Sequence, residues 1–572
     1  MFPTEWTQTS SDPPSPTLTA VDLDTESRFG TNGGTLKEAK DHDGVPQDPG
    51  PLDLEANRPA HEKSQRDNDI LKARNRHLEL AQPTVAEALR AAGVALVEVA
   101  EDGNVYIRSN VNDPDNPRNW PKWKRYFVAG IASWLTIIVC SIASGYSTGT
   151  DALNAEFGLS EEVGTLGLSL YILGFAFGPM VAAPLSETYG RRPIYLITWF
   201  FFTIFQIPVA IAPNFACVLI FRLLGGIAGS VPLANTGGVV NDLFDVQENG
   251  YATAMFAFAS VAGPPLGNVI GGFLAEAAGW RWLFWFYLIL LAVHYVIIFF
   301  GIPETRQGII MTNKAKKLRG LGNGLENVYA EEERNQKKPR EMFKVSMTRP
   351  YVFLFTEPIT YLAAAINAFA LGMIFLSNTS FPLIFGQGNE GHQWHRSGAI
   401  NAALGSYVVG ALIALCFQPL QQREYKKRCA KAGRPVPEAL WWWALWATPF
   451  MPIGLAIASG FSGPQFHWIA PLTGFASFGF GYFAILMAVF SYVMNSYGTF
   501  AASSLAGVVC VRNIVGAIFP LFARQMFFGL GNQWSLGLLA ILCCFLVPIP
   551  FFLFRYGQAV RMKSPYCATH DL

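Results

Sequence analysis

Residues 282–302 read WLFWFYLILLAVHYVIIFFGI, a run without a single Asp, Glu, Lys or Arg. At about 1.5 Å of rise per residue such a helix covers about 30 Å, the hydrocarbon thickness of a bilayer. A helix on a soluble core would keep one polar face; this one is apolar all round. Comparable runs lie at 126–147, 163–185, 194–212, 215–240 and 251–275 before it. Others follow at 351–376, 398–420, 440–460, 468–492, 496–522 and 534–555. In lipid the backbone must satisfy its own hydrogen bonds, which makes each run a helix. The reading is an all-α membrane protein of twelve transmembrane helices. The whole chain agrees: of 572 residues, 51% are hydrophobic and 15% charged, against about 25% charged in an ordinary soluble domain.

The runs fall into two six-helix halves, 119–302 and 351–555. Between them, 303–350 is a charged cytoplasmic loop carrying Lys314, Lys316, Lys317, Arg319, Lys337, Lys338 and Arg340. Such duplication places a binding site between the halves. Residues 1–118, rich in Pro, Ser, Asp and Gly, are expected to be a disordered cytoplasmic tail, with a short helix near Thr84–Ala92; 556–572 form a second cytoplasmic tail. No apolar stretch opens the chain, so the first span is expected to act as the membrane signal.

Basic residues set the orientation. With the N-terminus cytoplasmic, Arg118, Lys122, Lys124 and Arg125, then Arg191 and Arg192, then the central loop fall inside. So do Arg423, Lys426, Lys427, Arg428, Lys431 and Arg434, then Arg555, Arg561 and Lys563. Only Arg281, Arg396 and Arg524 fall outside, where the first loop carries Asp151, Glu156, Glu161 and Glu162. One sequon, Asn378-Thr379-Ser380, is a candidate glycosylation acceptor on that side.

Net charge is +1, which gives no field for nucleic acid. The eight Cys show no metal or redox spacing. Gly479-Phe480-Gly481 lies inside a span and lacks a nucleotide-binding context, and no Walker motif, zinc-protease motif or nucleophile elbow occurs. No metal, cofactor or enzymatic activity is therefore expected.

Ala183-Pro184-Leu185-Ser186-Glu187-Thr188-Tyr189-Gly190-Arg191-Arg192-Pro193 follows the second span. It resembles the loop signature of the major facilitator superfamily, departing from it at Ala183, where Gly is usual. The resemblance implies the major facilitator fold and a cytoplasmic gate made by Glu187, Gly190, Arg191 and Arg192. In the fifth span, Gly263, Pro264, Gly267 and Gly271 belong to a run that resembles the motif of drug:proton exporters. The glycines share one helix face and permit close packing; Pro264-Pro265 are expected to bend the helix. Further strings are Asp113-Pro114-Asp115-Asn116-Pro117-Arg118-Asn119-Trp120, Gly279-Trp280-Arg281-Trp282, Pro303-Glu304-Thr305, Glu357-Pro358, Ala501-Ala502-Ser503-Ser504 and Phe519-Pro520-Leu521-Phe522. Together they resemble the fungal twelve-span drug:proton antiporters, near the polyamine and multidrug branch, from Asp113 to Tyr566.

Candidates for coupling or for the cavity are Arg222, Asp242, Glu357, Asn367, Phe375, Asn495 and Arg512. An intramembrane Arg needs a partner, and the resemblance ties Arg222 to coupling; satisfaction by backbone carbonyls is the competing role. Glu357, read as two turns into the seventh span, and Asp242 are the carboxylates able to carry a proton. Arg512 has Glu357 or an anionic substrate as its candidate partner. His294 can titrate near neutrality or be held by hydrogen bonds. Polyamine-branch relatives often carry Tyr along the seventh span and Asp before the eleventh; this chain has Asn367, Leu371, Phe375 and Asn495 there, which argues for a less charged substrate. The expectation is a monomeric, proton-coupled efflux pump in the lipid bilayer of the cell membrane, the vacuole being less favoured, that exports a small-molecule secondary metabolite, toxin or drug. A polyamine or nutrient transporter and a non-transporting receptor are the alternatives.

Overall fold

The computed structural model describes residues 89, 94–99, 104–109, 113–245, 248–321, 325–334, 339–386, 392–498 and 501–564. Apart from Leu89, which is helical and buried, the helix expected at 84–92 lies outside the described residues, as do residues 1–88 of the expected disordered tail. The spans of the first half are Lys122–Phe157, Glu161–Tyr189, Arg191–Ala210, Phe215–Leu243, Gly250–Ala278 and Trp280–Gly301. The second half has Pro358–Phe385, Ser397–Ala432, Pro437–Gly460, Ile469–Tyr497 and a 59-residue run, Ser503–Arg561. That last run is far too long for one crossing. It doubles back at Gly531, where φ of 76° and ψ of 165° interrupt the helix. Across the turn, Ser535 Oγ donates to the Met526 carbonyl at 3.2 Å. The run is an eleventh and a twelfth span.

The same kind of glycine recurs at equivalent steps. Gly190, between the second and third spans, has φ 101° and ψ 158°. Gly279, between the fifth and sixth, has φ 85° and ψ 167°. This region of backbone space is essentially closed to side chains, so each reversal needs its glycine. After the eighth span the chain turns at Gly433, also at positive φ, 66°. The molecule thus reads as a three-helix unit used four times, each unit turning at a glycine after its second helix.

Lipid offers no hydrophobic drive between helices, so close packing does the work. The fifth span lies along the first, and the second along the fourth; in the other half the seventh lies along the eleventh and the eighth along the tenth. The halves meet where the second span touches the eleventh and the fifth touches the eighth.

Four expectations are corrected. Part of the segment 1–118 is ordered: β1, Val94–Val99, and β2, Val105–Ser109, pair antiparallel. β2 pairs parallel with β3, Val328–Ala330, in register Val105 to Val328 and Ile107 to Ala330. The central segment is correspondingly structured, with a helix at Gln307–Gly320. Leu89, Val94 and Ile107 pack on its Met311, Ala315 and Leu318. Alternating Val, Leu and Ile in a polar tail is enough to add strands once a partner edge is present.

The seventh span starts later than hydropathy implies. Residues Pro339–Thr356 form a separate helix, and Glu357 breaks it at φ −96°, ψ 111°. Pro358 cannot continue the helix before it and is suited to open the next. Glu357 therefore stands at the mouth of the span, not two turns inside. At the other end, Arg561 belongs to the helix Pro548–Arg561 and is buried. Its guanidinium binds Glu438 through Nε at 3.1 Å and Nη2 at 3.3 Å, so it is not a loop charge. Finally, Asn378 closes a helix within a span that runs on to Phe385. Its Oδ1 is buried without a partner, and Ser380 is fully buried. That position is a poor one for the candidate acceptor.

The strands are held down by charge. Arg319 binds Glu333 through two hydrogen bonds, 3.0 and 3.1 Å, and the Ala330 N–H donates to the same carboxylate at 2.9 Å. Burial pushes the Glu333 carboxyl up, but these donors outweigh it and hold it below the usual glutamate range. The stabilisation is complete above that range and is lost as pH falls through the lowered value. Acidification below the ordinary glutamate range is therefore expected to lower the protection of the Val105–Ile107 amides from hydrogen exchange, relative to the intrinsic rate at the same pH. Glu333→Gln should do the same at neutral pH and speed tryptic cleavage after Arg108 several-fold; equal cleavage rates would show that the strands hold without the pair.

Candidate substrate path and its gates

At the basic end of the bundle, Gly190 turns the chain so that the third span begins with Arg191 and Arg192. Four backbone N–H groups there and in the segment after the sixth span converge on one carboxylate. Glu304 Oε1 accepts from Arg191, Thr305 and Arg306 at 2.9–3.0 Å, and Oε2 accepts from Arg192 at 3.2 Å. An acid at a helix N-terminus meets unpaired donors and the positive end of the dipole. Any side chain at Gly190 would overlap that carboxylate, a second reason for the glycine.

Arg191 is buried: Nε meets Asp242 Oδ2 of the fourth span at 3.1 Å, and Nη1 donates to Ser186 Oγ at 2.6 Å. Gly238 presses on the guanidinium, leaving no room for a side chain. Asp242 also faces Arg306, 3.8 Å away. Asp242 is thus held between two guanidinium groups. Arg192 and Glu187 do other jobs than pairing with each other. Arg192 Nη2 donates to the Phe299 carbonyl at 2.9 Å, at the end of the sixth span. Glu187 reaches across to Arg349, before the seventh span, at 3.8 Å.

Neutral contacts also cross between the halves at this end. Asn241 Nδ2 donates to the Gly498 carbonyl, Asn249 Nδ2 to Asn495 Oδ1, both at 3.0 Å, and Gln418 Nε2 to the Gly250 carbonyl at 3.1 Å. At the opposite end the Gly398 N–H donates to Glu276 at 3.3 Å, and Arg524 pairs with Glu161. Both ends are shut. Between them remains a cavity of about 40 Å3, with Ser144 of the first span, Phe175 of the second, Phe375 of the seventh, Tyr482 of the tenth and Arg512 of the eleventh in its wall. A larger cavity, about 750 Å3, opens at the basic end around Glu187, Asp242 and Arg306.

Of the sequence candidates, Phe375 and Arg512 line the central cavity, and Pro264 does too. Asn495 does not; it serves the basic-end contact. Asn367 is fully buried with both amide atoms unpartnered and lies outside the cavity wall. Glu357 is 1% exposed. Its Oε2 accepts the Tyr497 hydroxyl at 3.0 Å and Oε1 has no partner.

Arg222 is walled inside the first half. It donates to three carbonyls, of Gly167, Ile142 and Ala143, at 3.1–3.2 Å, and lies between the rings of Tyr146 and Tyr171, 4.6 and 4.1 Å from their centres. It staples the first, second and fourth spans and touches neither cavity. His294 is likewise spoken for: Nε2 accepts the Trp134 indole N–H at 2.8 Å, and Nδ1 faces the Leu290 carbonyl at 2.6 Å.

Gly263, Gly267 and Gly271 bring the fifth span against the first. The Ser141 hydroxyl donates to the Gly263 carbonyl at 2.8 Å, and side chains at Gly267 or Gly271 would collide with the Ser141 carbonyl and Thr148. The fifth span stays one helix of 29 residues through Pro264-Pro265. Glu304 stands in the Pro303-Glu304-Thr305 string, but nothing in the string gives its role; it lies three residues after the sixth span and meets Gly190-Arg191 only in space.

Arg222→Lys keeps the charge but cannot reach three carbonyls. Two lost hydrogen bonds from a charged donor should cost about 3–6 kcal/mol, read as a lower melting temperature in detergent, while the pH profile of transport keeps its shape. A shifted profile with unchanged melting would return Arg222 to the coupling machinery.

The sequence profile of the Major Facilitator Superfamily matches residues 126–520. The Fusarium oxysporum "Efflux pump FUBT" is 34% identical over 458 residues, 80% of this chain and 77% of the relative. The Aspergillus fumigatus "Major facilitator superfamily multidrug transporter mdrA" is 33% identical over 80% of this chain and 75% of its own length. Among solved structures, the proton:xylose symporter XylE aligns with a TM-score of 0.54, covering 76% of this chain and 96% of its own at 15% identity. That likeness concerns the fold, and the fold, the gate and the relatives agree: this chain belongs to the Major Facilitator Superfamily, in the fungal branch of efflux pumps and multidrug transporters.

Proposed function

We propose that the protein is a monomeric, proton-coupled exporter of small amphipathic organic molecules across the plasma membrane, with its basic end in the cytoplasm. The observation that carries this is a largely apolar, aromatic cavity between two halves that is closed by separate contacts at either end. Such a cavity serves alternating access: one set of contacts opens while the other holds. The names of the relatives favour the outward direction. A polyamine fits poorly, because no carboxylate lines the central cavity to pair with its ammonium groups.

Proton coupling is assigned to Glu357. The carboxyl is buried, has one hydroxyl donor, and among the described residues has no cation within ion-pairing distance. Tyr497, its donor, precedes Gly498, the residue gripped by Asn241 of the other half. Gaining or losing a proton at Glu357 therefore acts one residue away from a cytoplasmic contact between the halves.

In cells lacking the protein, a labelled amphipathic compound should accumulate, with little change for labelled spermidine. Spermidine-selective efflux would overturn the substrate reading, and net uptake the direction. In proteoliposomes Glu357→Gln should leave exchange intact but remove its response to a proton gradient; a gradient response equal to wild type would move coupling elsewhere. Gly267→Leu should abolish transport in both assays by prising the first and fifth spans apart.

A further inference from the structure

Four arginines are buried among the described residues: Arg191, Arg222, Arg512 and Arg561. Three are matched by the protein itself: Arg191 by Asp242, Arg222 by three carbonyls, Arg561 by Glu438. Arg512 is different. It is 4% exposed, its Nε has no acceptor, and no carboxylate among the described residues lies within ion-pairing distance. The ring of Phe490 lies 5.9 Å from the guanidinium carbon. An aromatic face at that distance offsets only part of the cost of removing a cation from water.

The guanidinium is also in a particular place. It stands in the wall of the central cavity, between the halves. Across that cavity the Ser144 hydroxyl is buried and unpartnered as well. Phe175, Phe375 and Tyr482 supply aromatic walls around them. A cavity with one unsatisfied cation, one free hydroxyl and rings is complementary to a planar acid: a carboxylate for the fork of the arginine, and an aromatic body for the walls.

From this the geometry points to the cargo class: a small organic monoanion with an aromatic or apolar body, whose acidic group binds Arg512. The inference rests on the exporter reading and narrows it. The cavity, about 40 Å3, is far smaller than a ligand site, so the acid enters as the halves part and its charge supplies the counter-ion that the protein does not. A polycation meets repulsion at the same point. A neutral drug leaves Arg512 unpaired and binds less well than its acidic analogue.

The test uses three probes of one shape: 1-naphthoate, 1-naphthylmethanol and 1-naphthylmethylamine. Binding is read as thermal stabilisation of the purified full-length protein, and transport as efflux from cells. For wild type, naphthoate should stabilise at concentrations about tenfold or more below those needed for the alcohol, and the amine should not stabilise at all. Arg512→Gln should lose the preference for naphthoate, and Arg512→Lys should keep part of it. Without ligand, Arg512→Gln should melt higher than wild type, because it removes an unmatched buried charge; a structural arginine would give the opposite sign. Equal stabilisation of wild type by all three probes, or an unchanged naphthoate response in Arg512→Gln, overturns the inference. Stabilisation by phosphatidate in nanodiscs, with none by naphthoate, overturns it too and makes Arg512 a lipid site. Naphthoate binding that depends on Arg512, with no efflux of any probe, supports the anion site while removing the exporter reading.

Discussion

A guanidinium that leaves water for the interior of a helix bundle must find acceptors, because hydrocarbon offers none. That requirement organises much of this protein. Arg222 ties the first, second and fourth spans by donating to backbone carbonyls of the first and second, and two tyrosine rings close over it. Arg191 ties the start of the third span to the end of the fourth. Arg561 ties the last helix to Glu438 at the start of the ninth span. Each of these arginines stays within its own half. The partners of Arg191 and Arg222 all belong to the first half, so these contacts stay intact if that half moves as one piece.

The contacts between halves are of another kind. At the basic end they are mostly amide to carbonyl or amide to amide. Neutral hydrogen bonds are worth about 1 kcal/mol each once exchange with water is counted. At the opposite end Arg524 and Glu161 pair across the halves, whereas at the basic end the strong charge-assisted bonds lie mostly within a half and the weaker neutral ones mostly between halves. The Glu187–Arg349 pair, at 3.8 Å, is the charged exception at that end. The N-terminal strands add a further restraint, since Lys314 holds both Asp113 and Asp115, and Arg118 holds Asp245 beyond the fourth span.

Two glycine roles divide along similar lines. Gly190, Gly279 and Gly531 serve the backbone, each turning a hairpin at positive φ. Gly263, Gly267 and Gly271 serve packing, letting the first span come within reach of the fifth span's backbone. The first kind is invisible to hydropathy, and Gly531 sits in a run so apolar that length alone betrays the turn. The second kind announces itself through its spacing of four.

Span number, the two halves and the loop signature were legible along the chain because each depends on neighbours in sequence: an apolar run, a charged interruption, a glycine before two arginines. The start of the seventh span was not, because the helix ahead of it is also partly apolar and only the Glu357-Pro358 backbone breaks it. The ordered strands escaped notice because β1 and β2 gain an edge only from β3, more than two hundred residues on. Above all, Arg222 and Arg512 look alike in sequence, each a lone cation in an apolar helix. Which one is satisfied and which one faces the cavity depends on the carbonyls and carboxylates that other helices bring within about 3 Å. That is a matter of three-dimensional packing between segments far apart in the chain, and no local pattern encodes it.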